Sequence, residues 1–148
     1  MRIAVVGGGH GGYAAAADLA EQGHEVRLWR RDAAAFAPVL QSSAIRLEDA
    51  AGERSVRLAL ATTDLGAALR GAELVLVPTP ATAQADIARA AAPHLEREQV
   101  VFCPPGTFGS YLMATIVRTA GGADGISYAE TGDRKSTRLN SSHLFISR

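Results

Sequence analysis

The sequence predicts an α/β fold built on a doubly wound parallel sheet, and three observations lead to this prediction. Short apolar runs rich in Val, Ile and Leu recur along the chain, which is the pattern of strands buried on both faces. Ala-rich stretches of helical length alternate with these runs, and such alternation is typical of a parallel sheet covered by helices. A glycine-rich turn follows the first apolar run directly and leads into the first helical stretch.

The individual elements are predicted from these patterns in chain order. Strands are expected at residues 2–6, 24–29, 73–77, 99–103 and 125–130, and those at 2–6, 73–77 and 99–103 are expected to be buried. Helices are expected at 13–22, from the cap-like residues 62–64 to about residue 70, at 82–95 and at 111–119. Between them, residues 44–47 and 55–60 alternate apolar and polar side chains, which predicts a hairpin or two strands joined by a turn.

The turn after the first strand reads Gly7-Gly8-Gly9-His10-Gly11-Gly12 and satisfies the pattern G-x-G-x-x-G at positions 7, 9 and 12. In a βαβ unit the first glycine permits the tight turn, the second lets the backbone approach a pyrophosphate, and the third lets the helix pack closely. The N–H groups at the helix start then hold the anion. The turn predicts a Rossmann-type dinucleotide site, against the alternative of a glycine turn without a ligand. His10 either contacts the pyrophosphate or faces solvent.

The end of the second strand, Trp29-Arg30-Arg31-Asp32, indicates which cofactor binds. An acid at this place accepts hydrogen bonds from the ribose 2′-hydroxyl of NAD, whereas arginine accommodates the 2′-phosphate of NADP. Arg30 occupies the position of the acid and Arg31 lies beside it, and two guanidinium groups suit a phosphate. We therefore expect NADP(H) as the cofactor, with NAD(H) as the second choice. The alternative is that both arginines are solvated or stack on adenine.

Two loops leave the carboxyl ends of predicted strands, at 77–82 and 104–110, where a doubly wound sheet borders its ligand. Their proline and glycine content restrains the backbone and suits a wall beside the nicotinamide, so Pro78, Thr79 and Pro80 are assigned to the cofactor site. The alternative is that each of them is an ordinary residue of a βα loop with no ligand contact. No spacing of His, Cys and Asp predicts a metal site, and no nucleophile can be paired with a base, so no catalytic residue is assigned.

Composition argues against several classes of function. Fifteen basic side chains balance fifteen acidic ones, and the first 120 residues hold no basic cluster, which argues against nucleic acid or an anionic membrane as a partner. The single cysteine, Cys103, excludes an internal disulfide, fits a reducing compartment and is expected to be a buried apolar residue. Because the sequence has neither a membrane-spanning stretch nor a signal peptide, we expect a cytoplasmic protein. A homodimer is compatible with the sequence.

The composition changes abruptly near residue 133. Residues 1–132 hold 11 Arg against 14 Asp and Glu, with no Lys and no Asn, whereas residues 133–148 hold four basic residues and one acid. The segment DRKSTRLNSSH at 133–143 resembles the translation of a common sequencing-library adapter. We expect residues 133–148 to be a non-native disordered tail, residues 1–132 to be a partial dinucleotide-binding domain, and the natural chain to continue past Gly132. The alternative is an ordinary solvated C-terminus.

Several motifs together resemble the N-terminal domain of the octopine/nopaline (opine) dehydrogenase family. They extend over residues 1–132 and comprise the glycine turn at 7–12, Thr63-Asp64-Leu65, LVLVPTPATAQ at 74–84, PPGTFGS at 104–110 and AETG at 129–132. His10 and Gln84 depart from the family, which often has Asn and His at these places. The resemblance implies the reductive condensation of an α-keto acid with an amino acid by NAD(P)H. It also implies a catalytic pair in a second, mostly helical domain that this chain does not reach.

The resemblance further implies that Glu130 binds the amine of the substrate, so that the partners are small molecules, a keto acid and an amino acid. Without the second domain we expect the chain to be inactive, because a cofactor without its acid–base partner only positions the hydride. The alternatives are the N-terminal domain of a glycerol-3-phosphate dehydrogenase-like or ketopantoate reductase-like enzyme, which share this N-terminal fold, and a free-standing nucleotide-sensing domain.

Overall fold

A computed structural model of the chain describes residues 1–50 and 52–132, together with the backbone of residues 144–147. Its strands are β1 (Arg2–Val6), β2 (Glu25–Trp29), β3 (Ala44–Asp49), β4 (Gly52–Arg57), β5 (Leu60–Thr62), β6 (Leu74–Leu76), β7 (Val100–Cys103), β8 (Ser127–Thr131) and β9 (Leu144–Ser147). Its helices are α1 (His10–Glu21), α2 (Ala37–Ser42), α3 (Leu65–Leu69), α4 (Ala81–Ala91) and α5 (Gly109–Thr119). None of these helices, over the described residues, is long and apolar enough to cross a membrane.

The main sheet has the strand order β5-β2-β1-β6-β7-β8-β9, and the six strands from β5 to β8 in this order are parallel. The chain builds outward from β1 to β2 and β5, then returns to the other side of β1 and continues through β6, β7 and β8. This is the order of a doubly wound Rossmann sheet, so the predicted fold class is confirmed. The order reverses between β1 and β6, and ligands bind outside the carboxyl ends of the strands at such a point.

Both faces of the sheet are covered, because alternate residues of each strand face opposite layers. On β1, Ile3 and Val5 belong to the apolar cluster that includes α1 and the β3–β4 hairpin. Ala4 and Val6 belong to the cluster formed with α3, α4 and α5. All four side chains are at most 1% exposed. The buried β1 therefore holds the turn that follows it at a fixed place between two helical layers.

Three elements differ from the sequence-based prediction. Helix α1 begins at His10, three residues before the predicted start, because the low helix propensity of two glycines concealed its first turn. The segment 55–60 divides between two sheets, since β4 ends at Arg57 and Leu60–Thr62 forms β5 beside β2. Helix α2 was not predicted, because six residues with a proline near the start show no helical periodicity.

The predicted tail lies only partly within the described residues. Residues 133–143 and 148 lie outside them, so the expected disorder and foreign origin of that segment stay predictions. Residues 144–147 were expected to be disordered but form β9, antiparallel to β8. Their sequence, Leu-Phe-Ile-Ser, has high strand propensity, and the edge of β8 offers unpaired backbone groups to such a segment.

Candidate functional site

The glycine turn lies at the point where the strand order reverses, directly after β1. The N–H of Gly7 donates to the carbonyl oxygen of Trp29 at 3.0 Å, which ties the turn to the end of β2. Gly7 has φ +135°, and a Cβ there would lie 2.5 Å from Thr79 Cγ2. A Cβ on Gly12, in the first turn of α1, would overlap the carbonyl oxygen of Gly7. Both positions therefore require glycine, one for the turn and one for close packing.

At Gly9 neither the backbone conformation nor a neighbouring atom requires glycine, and the missing side chain leaves open space in front of α1. Gly9 is the N-cap of α1 with ordinary extended backbone, φ −83° and ψ 177°, and apart from its chain neighbours no described atom lies within 4 Å of the place of a Cβ. No side chain caps α1, and its first turn holds no acidic residue. The first N–H groups of this 12-residue helix are thus left to an external acceptor, and the helix dipole favours an anion there.

Two clefts open on either side of the turn and meet at Gly9. The first cleft, of about 450 Å³, is lined by Gly8, Gly9, Trp29, Arg30, Arg31, Asp32, Thr82, Ala83, Asp86 and Ile87. The second cleft, of about 580 Å³, is lined by Gly9, His10, Gly11, Pro78, Thr79, Pro80, Ala81, Pro105 and Thr107. An elongated ligand with an anionic middle can therefore place the anion at the start of α1 and one half in each cleft.

Arg30 crosses the first cleft with its side chain fixed at both ends. The aliphatic stem lies over Gly8, where a Cβ would overlap it. Its Nη1 donates to the Tyr13 hydroxyl and to the Ala35 carbonyl oxygen, both at 3.3 Å. Arg31 is exposed and lines the same cleft. A guanidinium has five N–H donors, so Arg30 keeps donors for a ligand although its position is set by the protein.

Two carboxylates also line the first cleft, and each is engaged with a neighbour. Asp32 Oδ1 accepts the N–H of Ala35 at 3.1 Å and closes the turn after β2. Asp86 Oδ1 accepts a hydrogen bond from Arg89 Nη1 at 3.0 Å on the exposed side of α4. The acid that follows the two arginines is thus used to hold the turn in place.

The loop after β6 contributes the wall of the second cleft. Its Thr79 hydroxyl is buried, and the described residues offer it no hydrogen-bond partner. Pro78 lies 3.7 Å from the place of a Cβ on Gly11, in ordinary contact, and Pro80 occupies the N-cap position of α4. His10 is exposed at the mouth of this cleft. Because buried polar groups are normally hydrogen-bonded, this hydroxyl is suited to a hydrogen bond with a ligand in the cleft.

Glu130, expected to contact the substrate amine, lines neither cleft. The residue is 7% exposed on β8, and its Oε1 and Oε2 accept the N–H groups of Phe108 at 3.1 Å and Ser110 at 2.8 Å. Each carboxylate oxygen has a second lone pair, so these contacts leave further acceptor capacity. Its contact with a substrate stays a prediction, whereas its contact with the loop before α5 is observed.

The model of one protein family, described as ketopantoate reductase PanE/ApbA, matches residues 3–121. The chain belongs to this family. The matched range includes the glycine turn and every residue that lines the two clefts. This family is among the alternatives named from the sequence, where the opine dehydrogenases were the leading resemblance.

Curated relatives of this PanE/ApbA-family chain include two kinds of dehydrogenase. The opine dehydrogenase of Arthrobacter sp. strain 1C is 32% identical over 128 residues, which is 86% of this chain and 36% of the relative. The glycerol-3-phosphate dehydrogenase (NAD(P)+) of Saccharophagus degradans is 36% identical over 118 residues, 78% of this chain and 33% of the relative. The chain thus spans about a third of the length of these curated relatives.

The fold is also that of a solved octopine dehydrogenase, a structure that contains NADH and L-arginine. The two share a TM-score of 0.71 at 22% identity, over 87% of this chain and 34% of that one. At this identity the likeness shows the fold alone.

Several cleft residues of this PanE/ApbA-family chain were not predicted from its sequence. On α4 they are Ala83, Asp86 and Ile87, which share one face of the helix with Thr82, a residue of the predicted loop 77–82. A helix that follows the strand at the reversal point was the available signal, because its first turns must border the ligand crevice. Tyr13 was also missed, since its contact with Arg30 depends on how α1 packs beside β2.

The cysteine of this domain is part of the apolar core. Cys103 is fully buried, and burial raises the pKa of its thiol to about 12, with the charge of Glu130 contributing in the same direction. The thiol lies 3.5 Å from the sulfur of Met113. Among the residues that the structure describes, no group of His, Cys, Asp and Glu could hold a metal ion.

Proposed function

We propose that this chain binds NAD(P)H and forms the cofactor domain of a dehydrogenase or reductase. The observation that carries the proposal is the meeting of two clefts at Gly9, in front of the uncapped start of α1. The residues fit a dinucleotide, since the helix start suits the pyrophosphate and the unpartnered Thr79 hydroxyl suits a polar group of the ligand. When bound, the cofactor supplies a hydride. Family membership supports the same function.

Within this function, NADP(H) is the cofactor that the first cleft favours. The 2′-phosphate of NADP distinguishes it from NAD, and arginine is the residue that accommodates this group. Arg30 is held in place by Tyr13 and Ala35, and Arg31 is exposed beside it. Two guanidinium groups at one place can bind a phosphate through paired, charge-assisted hydrogen bonds.

For the reaction, we propose the reductive condensation of an α-keto acid with an amino acid, as in opine dehydrogenases. The support is the 32% identity with the Arthrobacter opine dehydrogenase and the motifs at 104–110 and 129–132. The acid–base residues would lie in a part of the protein outside this chain, together with most of the substrate contacts. On this proposal the 148-residue chain binds cofactor without turnover.

A ketopantoate reductase is the second candidate, and the family match over residues 3–121 favours it. The two reactions differ in one reactant, because an opine-type enzyme requires an amine as well as a keto acid, whereas reduction of ketopantoate requires only the keto acid. A glycerol-3-phosphate dehydrogenase has a third kind of substrate and needs no amine.

The test of cofactor binding is a titration of the purified chain with NADPH and with NADH, followed by nicotinamide fluorescence. We expect both to bind and NADPH to bind at least about tenfold more tightly, since a charge-assisted contact changes an equilibrium constant by about this factor. Equal affinities would contradict the preference for NADP. Binding of neither would contradict the proposed function as a whole.

The test of the reaction requires the source DNA, resequenced across the codon for Gly132. A reading frame that continues into a second domain yields a longer protein to assay for NADPH oxidation. An opine-type enzyme oxidises NADPH only when a keto acid and an amino acid are both present. Oxidation with ketopantoate alone would support the second candidate, and turnover by the 148-residue chain would contradict the expected inactivity.

A further inference from the structure

Four hydrophilic side chains are buried in the part of the chain that the structure describes, and three of them meet at the start of α5. Gln99 lies elsewhere and donates to the Leu69 carbonyl oxygen at 2.8 Å. The other three are Gln84, Ser110 and Glu130. Buried hydrophilic groups cost free energy unless they are paired, so their concentration at one helix end calls for a role.

Glu130 holds this end of the helix through backbone groups. Its two carboxylate oxygens accept the N–H groups of Phe108 and Ser110, while the carbonyl oxygen of the next residue, Thr131, accepts the N–H of Gly106 at 2.8 Å. A Cβ on Gly106 would overlap the Glu130 side chain, so the loop lies directly against it. The end of β8 therefore binds the amides of residues 106, 108 and 110, from the loop after β7 into the first turn of α5.

The residues on either side of Gly106 form part of the second cleft. Pro105 and Thr107 line it, opposite the glycine turn and the loop after β6. Phe108 has φ +59°, a left-handed conformation that persists only where its surroundings enforce it. The two N–H contacts to Glu130 at residues 108 and 110 supply that constraint. The loop wall of the second cleft is thus set by a carboxylate that does not itself line the cleft.

The same helix start is fixed against the opposite wall. A Cβ on Gly109 would overlap the amide of Gln84, which is 2% exposed on α4. Since α4 begins at Ala81, directly after the Pro78–Pro80 loop, this contact joins the segment that carries Pro105 and Thr107 to the segment that carries Thr79. The width of the second cleft therefore depends on the start of α5.

We propose that Glu130 is a positioning residue that shapes the second cleft for the nicotinamide half of the cofactor by holding the 106–110 backbone. This inference rests on the proposed function, in which the second cleft takes that half and the first cleft takes the adenosine half. It requires no contact between Glu130 and cofactor or substrate. The positioning role can therefore be tested without substrate, whereas the predicted contact with the substrate amine cannot.

The experiment compares two ligands, NADPH and 2′,5′-ADP, by calorimetry on the 148-residue chain and its variants. The second ligand has the adenosine half with its phosphates but no nicotinamide. In Glu130→Gln one carboxylate oxygen becomes an NH₂ group that faces a backbone N–H, so the loop is released at one point. We expect NADPH to bind about tenfold more weakly and 2′,5′-ADP to bind as in the wild type, the loss expected for about one charged hydrogen bond.

Val117→Ala is the matched control, because Val117 is buried in the second half of the same helix and contacts neither cleft. It should lower the unfolding temperature without separating the two ligands. Glu130→Asp keeps the charge with a shorter reach and should lie between the wild type and Glu130→Gln. If the Glu130→Gln chain does not fold, amide hydrogen exchange of the wild-type chain is measured instead. We then expect slow exchange of the Phe108 and Ser110 amides in the absence of ligand.

The remaining outcomes contradict either the positioning role of Glu130 or the proposed function. Unchanged NADPH binding in folded Glu130→Gln, or wild-type amides of Phe108 and Ser110 that exchange as free amides, overturns the positioning role. The positioning role is also overturned if Glu130→Gln lowers the affinities for NADPH and 2′,5′-ADP equally and in proportion to its loss of stability, as expected for Val117→Ala. A wild-type chain that binds neither ligand overturns the proposed function, and this assignment falls with it.

Discussion

The two clefts differ in how the chain builds them. Most of the first is formed within one βαβ unit, by the glycine turn and the residues 29–32 at the end of β2, and the rest of its lining comes from α4. The second is assembled from three segments far apart in sequence, at 9–11, 78–81 and 105–107, and a carboxylate on a fourth segment holds the last of them. The residues of one βαβ unit therefore identify most of the first cleft, whereas the second combines loops that follow three different strands.

The chemistry of the clefts differs in the same way. The first presents two guanidinium groups, which discriminate between ligands by charge. The second presents mainly prolines, glycines and threonines, with His10 at its mouth, and discriminates by shape and by one unpartnered hydroxyl. We infer that selection of the cofactor occurs in the first cleft and orientation of its reactive end in the second. The predictions below test this division.

The largest effect is expected at Gly9, where the clefts meet. Gly9→Asp places a carboxylate where the pyrophosphate is proposed to bind, and like charges at such a distance weaken binding by about hundredfold or more. Asp is also a preferred N-cap residue, so the free energy of unfolding should stay unchanged or rise by about 0.5 kcal/mol. NADPH and 2′,5′-ADP titrations with a urea melt measure both effects.

Ala90→Asp is the control for Gly9→Asp, since it adds the same charge to an exposed position near the other end of α4. It should leave both ligands unaffected. Retained NADPH binding by Gly9→Asp would mean that the start of α1 does not hold the anion, which removes the reason for dividing one ligand between the clefts.

Arg30→Ala should affect the first cleft alone. Loss of a charged hydrogen bond to the 2′-phosphate weakens NADPH binding by about 10- to 100-fold, while NADH, which lacks this phosphate, should change by less than about threefold. The measurement is the ratio of the two dissociation constants. Arg57→Ala removes an equivalent exposed charge from the β4 strand and should leave the ratio unchanged. An equal loss for both cofactors would indicate that Arg30 acts by packing over Gly8.

Thr79→Val should affect the second cleft with opposite signs for stability and binding. Removing a buried hydroxyl without a partner raises the free energy of unfolding by about 1 kcal/mol. NADPH binding should weaken about fivefold if the hydroxyl contacts the cofactor, with 2′,5′-ADP unaffected. Thr119→Val is the control, because that hydroxyl donates to the Thr115 carbonyl oxygen and its loss should not stabilise the chain. Unchanged or stronger NADPH binding by Thr79→Val would contradict the contact.

The sequence allowed prediction of those parts of the site that depend on residue type along a short segment. Gly7 and Gly12 are restricted to glycine by the backbone itself, and this restriction is what makes the motif readable. The arginines after β2 follow from counting along the same segment. The fold class could be inferred as well, because alternating strands and helices predict a parallel sheet covered on both faces, but the place of β5 could not, since residues 55–60 were assigned to a hairpin or two strands joined by a turn.

The remaining parts depend on register and packing. Glu130 contacts Phe108 and Ser110 because β8 pairs with β7 so that Cys103 lies beside Glu130. A shift of this register by one residue would turn the carboxylate to the other face of the sheet. No local pattern reports that register, so the sequence indicated that Glu130 lies near the site without showing what it binds.

The smallest effect is expected far from both clefts, where the β3–β4 hairpin meets α1. Arg54 donates hydrogen bonds to Glu21 and to Asp49, and the hydrogen bond from Arg54 holds the pKa of Glu21 below its ordinary value of 4.5. A carboxylate with a lowered folded-state pKa stabilises the fold fully above that ordinary value, and the contribution is lost as the pH falls through the lowered pKa. Because the pair is exposed, the contribution is small and screened by salt.

Glu21→Gln should therefore reduce the acid sensitivity of unfolding below about pH 4.5 without changing NADPH binding at pH 7, since a neutral side chain has no proton to gain. Urea midpoints at several pH values at low salt measure the first effect, and a titration at pH 7 measures the second. A steeper loss of stability in acid for Glu21→Gln would contradict the assigned sign. Weaker NADPH binding would show that the hairpin affects the first cleft through α1, and the two clefts would then not be independent of the surrounding fold.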